Sequence, residues 1–453
     1  MKQRRLSLST THIILLSFLA AIAVGSLLLS LPISSADGKP IPYIDALFTA
    51  TTATCVTGLV TLPTATGWSI FGQAVILLLI QIGGLGIVTM MSGVMIALHR
   101  RMGLADRLLI QDAFNLNTLS GLIRFVKKVI IGTLIIEGIG ALLYMAVFVP
   151  DFGVQRGIWI AIFNAISAFC NAGIDIIGET SLCDYATHPL VNAVTAALIV
   201  IGGLGYIVWW DVLRVMRTAR RRGWRCLHSL TLHSKIALSA TALLIVGGAA
   251  TFFLLEYHNP LTLRDHTLFD KLQLSFFQSV TTRTAGFAAI PQQHLTDASS
   301  VVSMLLMCIG GSPVGTAGGI KTVTIAVLCA CAYATVRNRQ EVTLFHRRIA
   351  SYAISKSIAV TGIFVTIVML ATVLLSAVSD MPLLDIAYET VSAAATVGLT
   401  RGITPLLNTV GKLIIIATMY LGRVGPISLA IAFNIRKRNT SAITSPDEDI
   451  SVG

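Results

Sequence analysis

The sequence predicts an all-α integral membrane protein of four tandem span, re-entrant loop, span repeats, with eight transmembrane helices set around a pseudo-four-fold axis. Three observations predict it: a strongly apolar composition, apolar runs of membrane-crossing length, and a short glycine-bearing segment that recurs four times at near-constant spacing.

Composition excludes the soluble classes. Of 453 residues, 55% are hydrophobic and only 12% charged, and mean hydropathy is +0.80, too apolar for the surface of a globular domain in water. Apolar runs occupy 12–31, 70–98, 129–149, 190–210, 236–255, 299–309 with 323–336, 358–378 and 409–433. Each is about the 20 residues that a helix needs to cross the hydrocarbon, the interrupted run excepted. The first follows MKQRR but is long and lacks a clean cleavage site, so it is expected as a retained helix rather than a signal peptide.

Charge orients the spans. Of 33 Lys and Arg, 24 fall at the termini or in the connections that follow each closing span. Six (Lys39, Arg156, Arg264, Lys271, Arg401, Lys412) fall on the other side and three at membrane depth. This bias puts both termini in the cytoplasm. The net charge of +12 therefore reads as a basic rim meeting anionic lipid or an acidic partner, not as a nucleic-acid surface. Twelve Asp and Glu, among them Asp45, Asp175, Glu179 and Asp385, fall on or near the outer face, a bias that concentrates cations there. The seven cysteines show no metal-ligand spacing, and no disulfide framework is expected.

Between opening and closing spans lie four segments too short or too polar to cross. In register they end in CVTGL (55–59), CNAGI (170–174), RTAGF (283–287) and ATVGL (395–399). The aligned glycines, Gly58, Gly173, Gly286 and Gly398, are spaced by 115, 113 and 112 residues. Ten residues before each stands an aromatic: Phe48, Phe163, Phe276 and Tyr388. A hydroxyl lies six before in three copies, at Thr52, Ser167 and Ser392. Asp45 and Asp385 lie thirteen before, where a helix N-cap is expected. The repeats then run 1–105 (loop 43–59), 106–225 (loop 157–174), 226–345 (loop 267–287) and 346–438 (loop 383–399), with a cytoplasmic tail at 439–453.

Thr396-Val397-Gly398 matches the start of the Thr-Val-Gly-Tyr-Gly loop whose carbonyls line potassium-channel filters. One such loop cannot surround a dehydrated ion; four can. Non-helical backbone at membrane depth is tolerated only where protein buries it or water reaches it. Glycines that adopt positive φ let consecutive carbonyls turn to a shared axis, and half-helices ending there favour a cation. The axis thus becomes a pseudo-four-fold pore. The candidate filter comprises Thr54, Cys55, Val56, Thr57 and Gly58; Phe169, Cys170, Asn171, Ala172 and Gly173; Thr282, Arg283, Thr284, Ala285 and Gly286; and Ala394, Ala395, Thr396, Val397 and Gly398. A cation is expected at the carbonyls of Val56, Thr57, Asn171, Ala172, Thr284, Ala285, Thr396 and Val397, and the resemblance given below implies that it is potassium. Arg283 is expected to point behind its loop, since a side-chain cation in the pore would block it.

A second cluster follows in each closing span: Gly83-Gly84-Leu85-Gly86, Gly202-Gly203-Leu204-Gly205, Gly310-Gly311-Ser312-Pro313 and Gly422-Arg423-Val424-Gly425. The first two read as close helix packing through small residues. In the third, GGSPVGTAGGIKT (310–322) breaks the span into two short helices joined by an intramembrane loop, 310–321. Gly315 to Thr322 fits the phosphate-loop pattern except at Ile320, but no strand precedes it, so nucleotide binding is not expected. A buried arginine is costly, which marks Arg423 as a group facing the cavity that can donate to carbonyls of this loop. Its other partner would be an acid such as Glu137. The candidate gate is Gly310, Gly311, Ser312, Gly315, Thr316, Gly318, Gly319, Lys321 and Arg423, with Lys321 expected to snorkel to the inner interface.

Over essentially its whole length this pattern resembles the Trk/Ktr/HKT superfamily of potassium transporters. With the first repeat starting almost at Met1, it is most similar to the bacterial Ktr membrane subunit. The resemblance implies multi-pass residence in a bacterial plasma membrane and a potassium-selective pore with filter glycines at Gly58, Gly173, Gly286 and Gly398. It further implies a homodimer on a cytoplasmic ring of nucleotide-binding, RCK-type regulatory subunits, no nucleotide being bound by this chain. Glycine at Gly58 goes with potassium preference, where serine goes with sodium in plant relatives. Two rivals stand beside this reading. A membrane-embedded enzyme would need a polar constellation at depth, and no HExxH, paired intramembrane aspartates or Ser-His pair occurs. A secondary transporter, for example a sodium-coupled potassium symporter, would rock two half-repeats, against which the four-fold repeat argues.

Overall fold

The computed structural model describes residues 10–98, 103, 107–108, 110–111, 121–222, 228–339 and 341–425. One order of elements recurs four times: opening helix, half-helix, glycine loop, closing helix. The opening helices are Thr10–Leu29, Leu122–Phe152, Leu232–Glu256 and Ser351–Val378. The half-helices are Tyr43–Cys55, Val154–Cys170, Leu268–Thr281 and Leu383–Ala395, and the closing helices begin as Ile70–Leu85, Pro189–Leu204, Asp297–Cys308 and Thr409–Val424. A short antiparallel hairpin, Thr343–Leu344 with Arg347–Arg348, is the one sheet among the described residues.

Apolar residues cover the outside as well as the core, and polar side chains are carried into the interior by the half-helices. The half-helices form the core, where Thr49, Thr51, Thr52 and Thr54 are buried beside Phe48. The opening helices leave Leu134, Leu142, Leu243 and Leu254 exposed, as a lipid-facing surface requires. Each closing helix starts on a side-chain cap. Ser69, His188, Thr296 and Asn408 accept from the N–H groups of Gly72, Val191, Ser299 and Gly411 at 3.2, 3.4, 3.2 and 2.7 Å. These caps satisfy donors that a helix start leaves orphaned and fix where the chain turns back.

Three expectations need correction. The runs 70–98 and 190–210 are not straight spans: Ile70–Leu85 meets Ile87–Ile96, and Pro189–Leu204 meets Tyr206–Arg217, at 98° each. The bends sit at Gly86 (φ 83, ψ 136) and Gly205 (φ 86, ψ 143), a conformation that cannot continue an α-helix. Among the described residues, four helices are long and apolar enough to cross a bilayer, and six when each bent pair counts as one. The third closing element is split into Asp297–Cys308 and Thr322–Val336, and the fourth, Thr409–Val424, reaches the edge of the described residues. Asp45 and Asp385 are not N-caps, because Pro42 and Pro382 hold those positions. They lie in the first helical turn and pair at 2.6 Å with Lys412 and Arg401, tying the fourth repeat's closing helix and loop to the half-helices of the first and fourth. Finally, Phe276 is exposed and Phe277 is buried in its place, so the third half-helix is one residue out of register with the others. The basic residues at Lys2, Arg4, Arg5, Arg100, Arg101, Arg436, Lys437 and Arg438, and the tail 439–453, lie outside the described residues.

Glycine lets the closing helices lie directly on the half-helix ends. A Cβ on Gly83, Gly202 or Gly422 would overlap the carbonyl oxygen of Thr54, Phe169 or Ala394 respectively. Gly247, by contrast, faces open space, with nothing within 4 Å of an added Cβ. Gly422→Ala should therefore destabilise the protein by about 1–3 kcal/mol, while Gly247→Ala should not. Thermal unfolding of both variants in detergent checks this; equal melting temperatures would refute the packing account.

Candidate functional site

The site starts at the C-terminal ends of the half-helices. In repeats one, two and four the helix stops three residues before the aligned glycine, at Cys55, Cys170 and Ala395. The next residue, Val56 (φ 56), Asn171 (φ 60) or Thr396 (φ 51), turns left-handed. The following N–H returns to the helix: Thr57 to the Thr52 carbonyl, Ala172 to Ser167 and Val397 to Ser392, each at 2.8 Å. This is a Schellman-type stop, which satisfies helix-end carbonyls while reversing the chain. The third repeat stops earlier, at Thr281, and its Ala285 N–H returns only four residues, to Thr281 at 3.0 Å. Thr284 (φ 65) takes the left-handed turn there.

These four ends bring the aligned glycines into one ring. Their φ values are 104 at Gly58, 63 at Gly173, 82 at Gly286 and 96 at Gly398. A Cβ on Gly58 would stand 2.6 Å from the Ala172 oxygen, one on Gly173 2.6 Å from the Ala285 oxygen, and one on Gly286 2.5 Å from the Val397 oxygen. One on Gly398 would overlap the Thr57 oxygen and close the circle. Each glycine thus abuts the carbonyl that precedes the next repeat's glycine, in chain order. Thr57, Ala172, Ala285 and Val397 are the candidate residues brought to the ring. The carbonyls of Thr54, Phe169 and Ala394 instead face Gly83, Gly202 and Gly422 behind it. Thr282 is turned onto the Ser279 carbonyl, at 3.0 Å. Arg283 is buried behind the loop, donating to the Gly310 carbonyl at 3.2 Å and reaching Thr241 at 3.5 Å. The thiol of Cys170 is directed away from the ring, toward Gln81 (3.6 Å) and Glu137 (3.9 Å); Cys55, its counterpart in the first repeat, is buried.

On the opposite side of the ring from the closing helices' bends lies a cavity of about 330 Å³, bounded by all four ring glycines. Asp175 and Glu179 line it. Burial pushes the Asp175 carboxyl up to about 6, against hydrogen bonds from Ser181 and the Ile177 N–H.

On the other side lies the 310–321 segment. Ile309 and Ile320 pair as an isolated parallel bridge, with Gly310 N–H to the Ile320 carbonyl at 2.9 Å and Ile320 N–H to Cys308 at 3.0 Å. The loop is tied to the second repeat's bend: Ser312 N–H donates to Gly203 (2.8 Å), Thr316 N–H to Gly202 (3.3 Å), and Val314 accepts from Tyr206 (3.0 Å). Thr316 Oγ1 also donates to the Phe169 carbonyl, at 3.1 Å. Gly315 and Gly318 allow close approach: a Cβ on Gly315 would lie 3.0 Å from the Gly202 oxygen, and one on Gly318 would overlap Thr396. Gly319 takes φ 63 beside Gly310, and Gly311 packs on the Gly203 carbonyl. Arg423 donates to the Thr316 carbonyl at 2.6 Å and to the Gly83 carbonyl. It thereby joins loop, first repeat and fourth repeat. Its alternative partner, Glu137, instead accepts from Gln81 at 3.1 Å. Lys321 does not snorkel: its ammonium folds back onto the Ala317 carbonyl at 2.5 Å, because the broken helix leaves acceptors close at hand.

Two features escaped the sequence. Thr281 Oγ1 donates to the Phe287 carbonyl at 2.6 Å, so the third repeat does carry a hydroxyl, displaced by one position as Phe277 is. Those two offsets together were the available signal. Glu389 is buried and accepts from Thr400 Oγ1 (2.6 Å) and Thr404 Oγ1, holding the chain that leaves the fourth glycine; a lone acid in a half-helix gave no hint of this.

Residues 4–442 match the TrkH family model, described as a cation transport protein. The chain belongs to that family. It is 39% identical over 459 residues to the potassium/sodium uptake protein NtpJ of Enterococcus hirae, covering 100% of this chain and 99% of that one. It is 40% identical over 442 residues to the Ktr system potassium uptake protein B of Bacillus subtilis, covering 98% and 96%. Among solved structures, the potassium transporter TrkH from Vibrio parahaemolyticus matches with a TM-score of 0.73 at 17% identity, covering 95% of this chain and 86% of that one. At that identity the likeness speaks for the fold alone; the family match and the two relatives make the chain a membrane cation transporter.

Asp175 makes the cavity sensitive to pH. Its charge is present above about 6 and lost as the pH on that face falls through this value. Cation uptake at limiting concentration should then fall roughly two- to threefold, a small share of what a focused field can supply. Asp175→Asn should remove that step from the pH profile of rubidium uptake into proteoliposomes; an unchanged profile would refute the assignment.

Proposed function

We propose that the chain is a potassium-selective uptake pore of a bacterial plasma membrane, with both termini cytoplasmic. The observation that carries the reading is the ring itself: four glycines at positive φ, each against the next repeat's carbonyl. A cation entering from the cavity exchanges water for the carbonyls of Val56, Thr57, Asn171, Ala172, Thr284, Ala285, Thr396 and Val397, the exchange on which filter selectivity rests. The half-helix ends aim their negative dipole ends at the same point.

The gate in this reading is the 310–321 loop with Arg423. A guanidinium below the filter raises the barrier to any cation, and its bond to the Thr316 carbonyl holds the loop across the path. The working assembly is a homodimer seated on a cytoplasmic nucleotide-binding ring of RCK type; the Bacillus subtilis relative is named potassium uptake protein B of a Ktr system, which supports a multicomponent uptake machine. A sodium-coupled potassium symport is the second reading, favoured by one fact: the Enterococcus hirae relative is named a potassium/sodium uptake protein.

Rubidium uptake into proteoliposomes, with sodium as competitor, tests both parts. Gly58→Ser should weaken discrimination against sodium roughly tenfold, equivalent to about 1.4 kcal/mol. Arg423→Ala should raise flux by a similar factor, since the barrier loses its charge. Unaltered discrimination in the first removes the filter; unaltered or lower flux in the second removes the arginine barrier. Uptake that depends on sodium, with fixed stoichiometry, would move the assignment to symport.

A further inference from the structure

The ring depends on which way its peptide planes face, and the structure shows what fixes them in two of the four repeats. Gly58 N–H donates to Thr52 Oγ1 at 2.9 Å, and Gly398 N–H donates to Ser392 Oγ at 3.0 Å. Both hydroxyl residues are fully buried, one turn and a half before the ring on their own half-helices. In a planar trans peptide, N–H and C=O point in opposite directions. Drawing the Gly58 N–H back to Thr52 therefore turns the Thr57 carbonyl the other way. That is where it is found, against Gly398, just as the Val397 carbonyl is found against Gly286.

We propose that the Thr52 and Ser392 hydroxyls are positioning residues that set ion selectivity by holding the Thr57 and Val397 carbonyls toward the axis. The inference rests on the filter reading above and deepens it. Such a pin is needed because glycine opposes rotation of the flanking peptide only weakly. Carbonyl dipoles converging on one centre also repel when the ion between them leaves. The main-chain return of Thr57 to Thr52 and of Val397 to Ser392, at 2.8 Å, fixes the preceding peptide; only the hydroxyl reaches the next one.

The other two repeats lack this device. Ser167 Oγ accepts from Ile174 N–H at 3.2 Å, one peptide further along, and so turns the Gly173 carbonyl rather than that of Ala172. Thr281 reverses the polarity, donating its proton to the Phe287 carbonyl. The ring thus has two pinned rungs, contributed by the first and fourth repeats, which are adjacent across the ring closure.

The test compares rubidium and sodium uptake in proteoliposomes for Thr52→Val, Thr52→Ser, Ser392→Ala and Ser392→Thr, with Gly58→Ser alongside. Loss of one such hydrogen bond should lower discrimination against sodium about three- to tenfold in Thr52→Val and Ser392→Ala. The effect should appear in the ratio of apparent affinities for the two ions more than in maximal rate. Thr52→Ser and Ser392→Thr, which keep the oxygen, should restore it. Discrimination kept by either hydroxyl-free variant that still carries rubidium overturns the proposal for that rung. If one hydroxyl-free variant fails to fold, the other decides. If both fail while the conservative pair is sound, the hydroxyls are structural and the proposal falls. Gly58→Ser separates the two levels: altered there and unaltered in Thr52→Val leaves the filter standing without its pins, whereas unaltered in both removes the filter as well.

Discussion

Everything in this fold follows from one constraint: polar backbone brought into the interior of a membrane must find every partner within the protein. Four half-helices end inside the structure, and each end frees carbonyls that a continuing helix would have used. In three repeats the left-handed turn at Val56, Asn171 or Thr396 returns one N–H to the helix and so stops it cleanly. That return fixes the peptides that carry the Val56, Asn171 and Thr396 carbonyls, and the Thr52 and Ser392 hydroxyls hold the next peptide in the first and fourth repeats. The ring is thus a by-product of how the helices are capped. No side chain need enter it, and glycine's lack of one lets neighbouring backbones meet.

The same constraint shapes the opposite end of each closing helix. Gly86, Gly205 and Gly425 share one conformation, with φ 83, 86 and 88 and ψ 136, 143 and 142. In the third repeat Pro313 occupies the corresponding place and the chain forms a loop instead. That loop is not loose. Its N–H groups at Ser312 and Thr316 take up carbonyls of Gly203 and Gly202, which the second repeat's bend releases. One repeat's broken helix is completed by another's, and the departure from four-fold symmetry is what makes the pairing possible. The third half-helix departs too, stopping two residues sooner, with Phe277 and Thr281 displaced by one.

How much of this was legible in the sequence depended on whether a residue type had one possible reason to be there. The four ring glycines were legible: their spacing repeats, and positive φ beside another backbone admits little else. The break at 310–321 was legible because five glycines and a proline cannot stay helical. The bends at Gly86 and Gly205 were not, since a glycine in an apolar run serves packing as readily as bending, and Gly83 and Gly202 beside them do pack. The register shift in the third half-helix was hidden by aligning on glycine alone. Lys321 was misread because snorkelling assumes that the nearest acceptors are at the interface, whereas the loop's own Ala317 carbonyl is closer. Asp45 and Asp385 were placed in the right turn but in the wrong role, since the prolines before them already fix the helix start.

Arg423 brings these threads together. Its guanidinium lies among buried backbone, and its two acceptors are both products of interrupted helices: the Gly83 carbonyl, in the last turn before the Gly86 bend, and the Thr316 carbonyl, in the loop. A continuous first closing helix would engage the Gly83 oxygen internally, and a continuous third one would have no Thr316 loop at all. The breaks therefore create the site that makes an intramembrane arginine tolerable. The dependence also runs the other way. A loop that swings clear of Arg423 strips a charged donor of one partner, at about 1.5–3 kcal/mol, unless water follows into the space. In the proposed gate, loop movement and hydration of the path are then a single event, because the group that latches the loop is the one that must be solvated when it lets go.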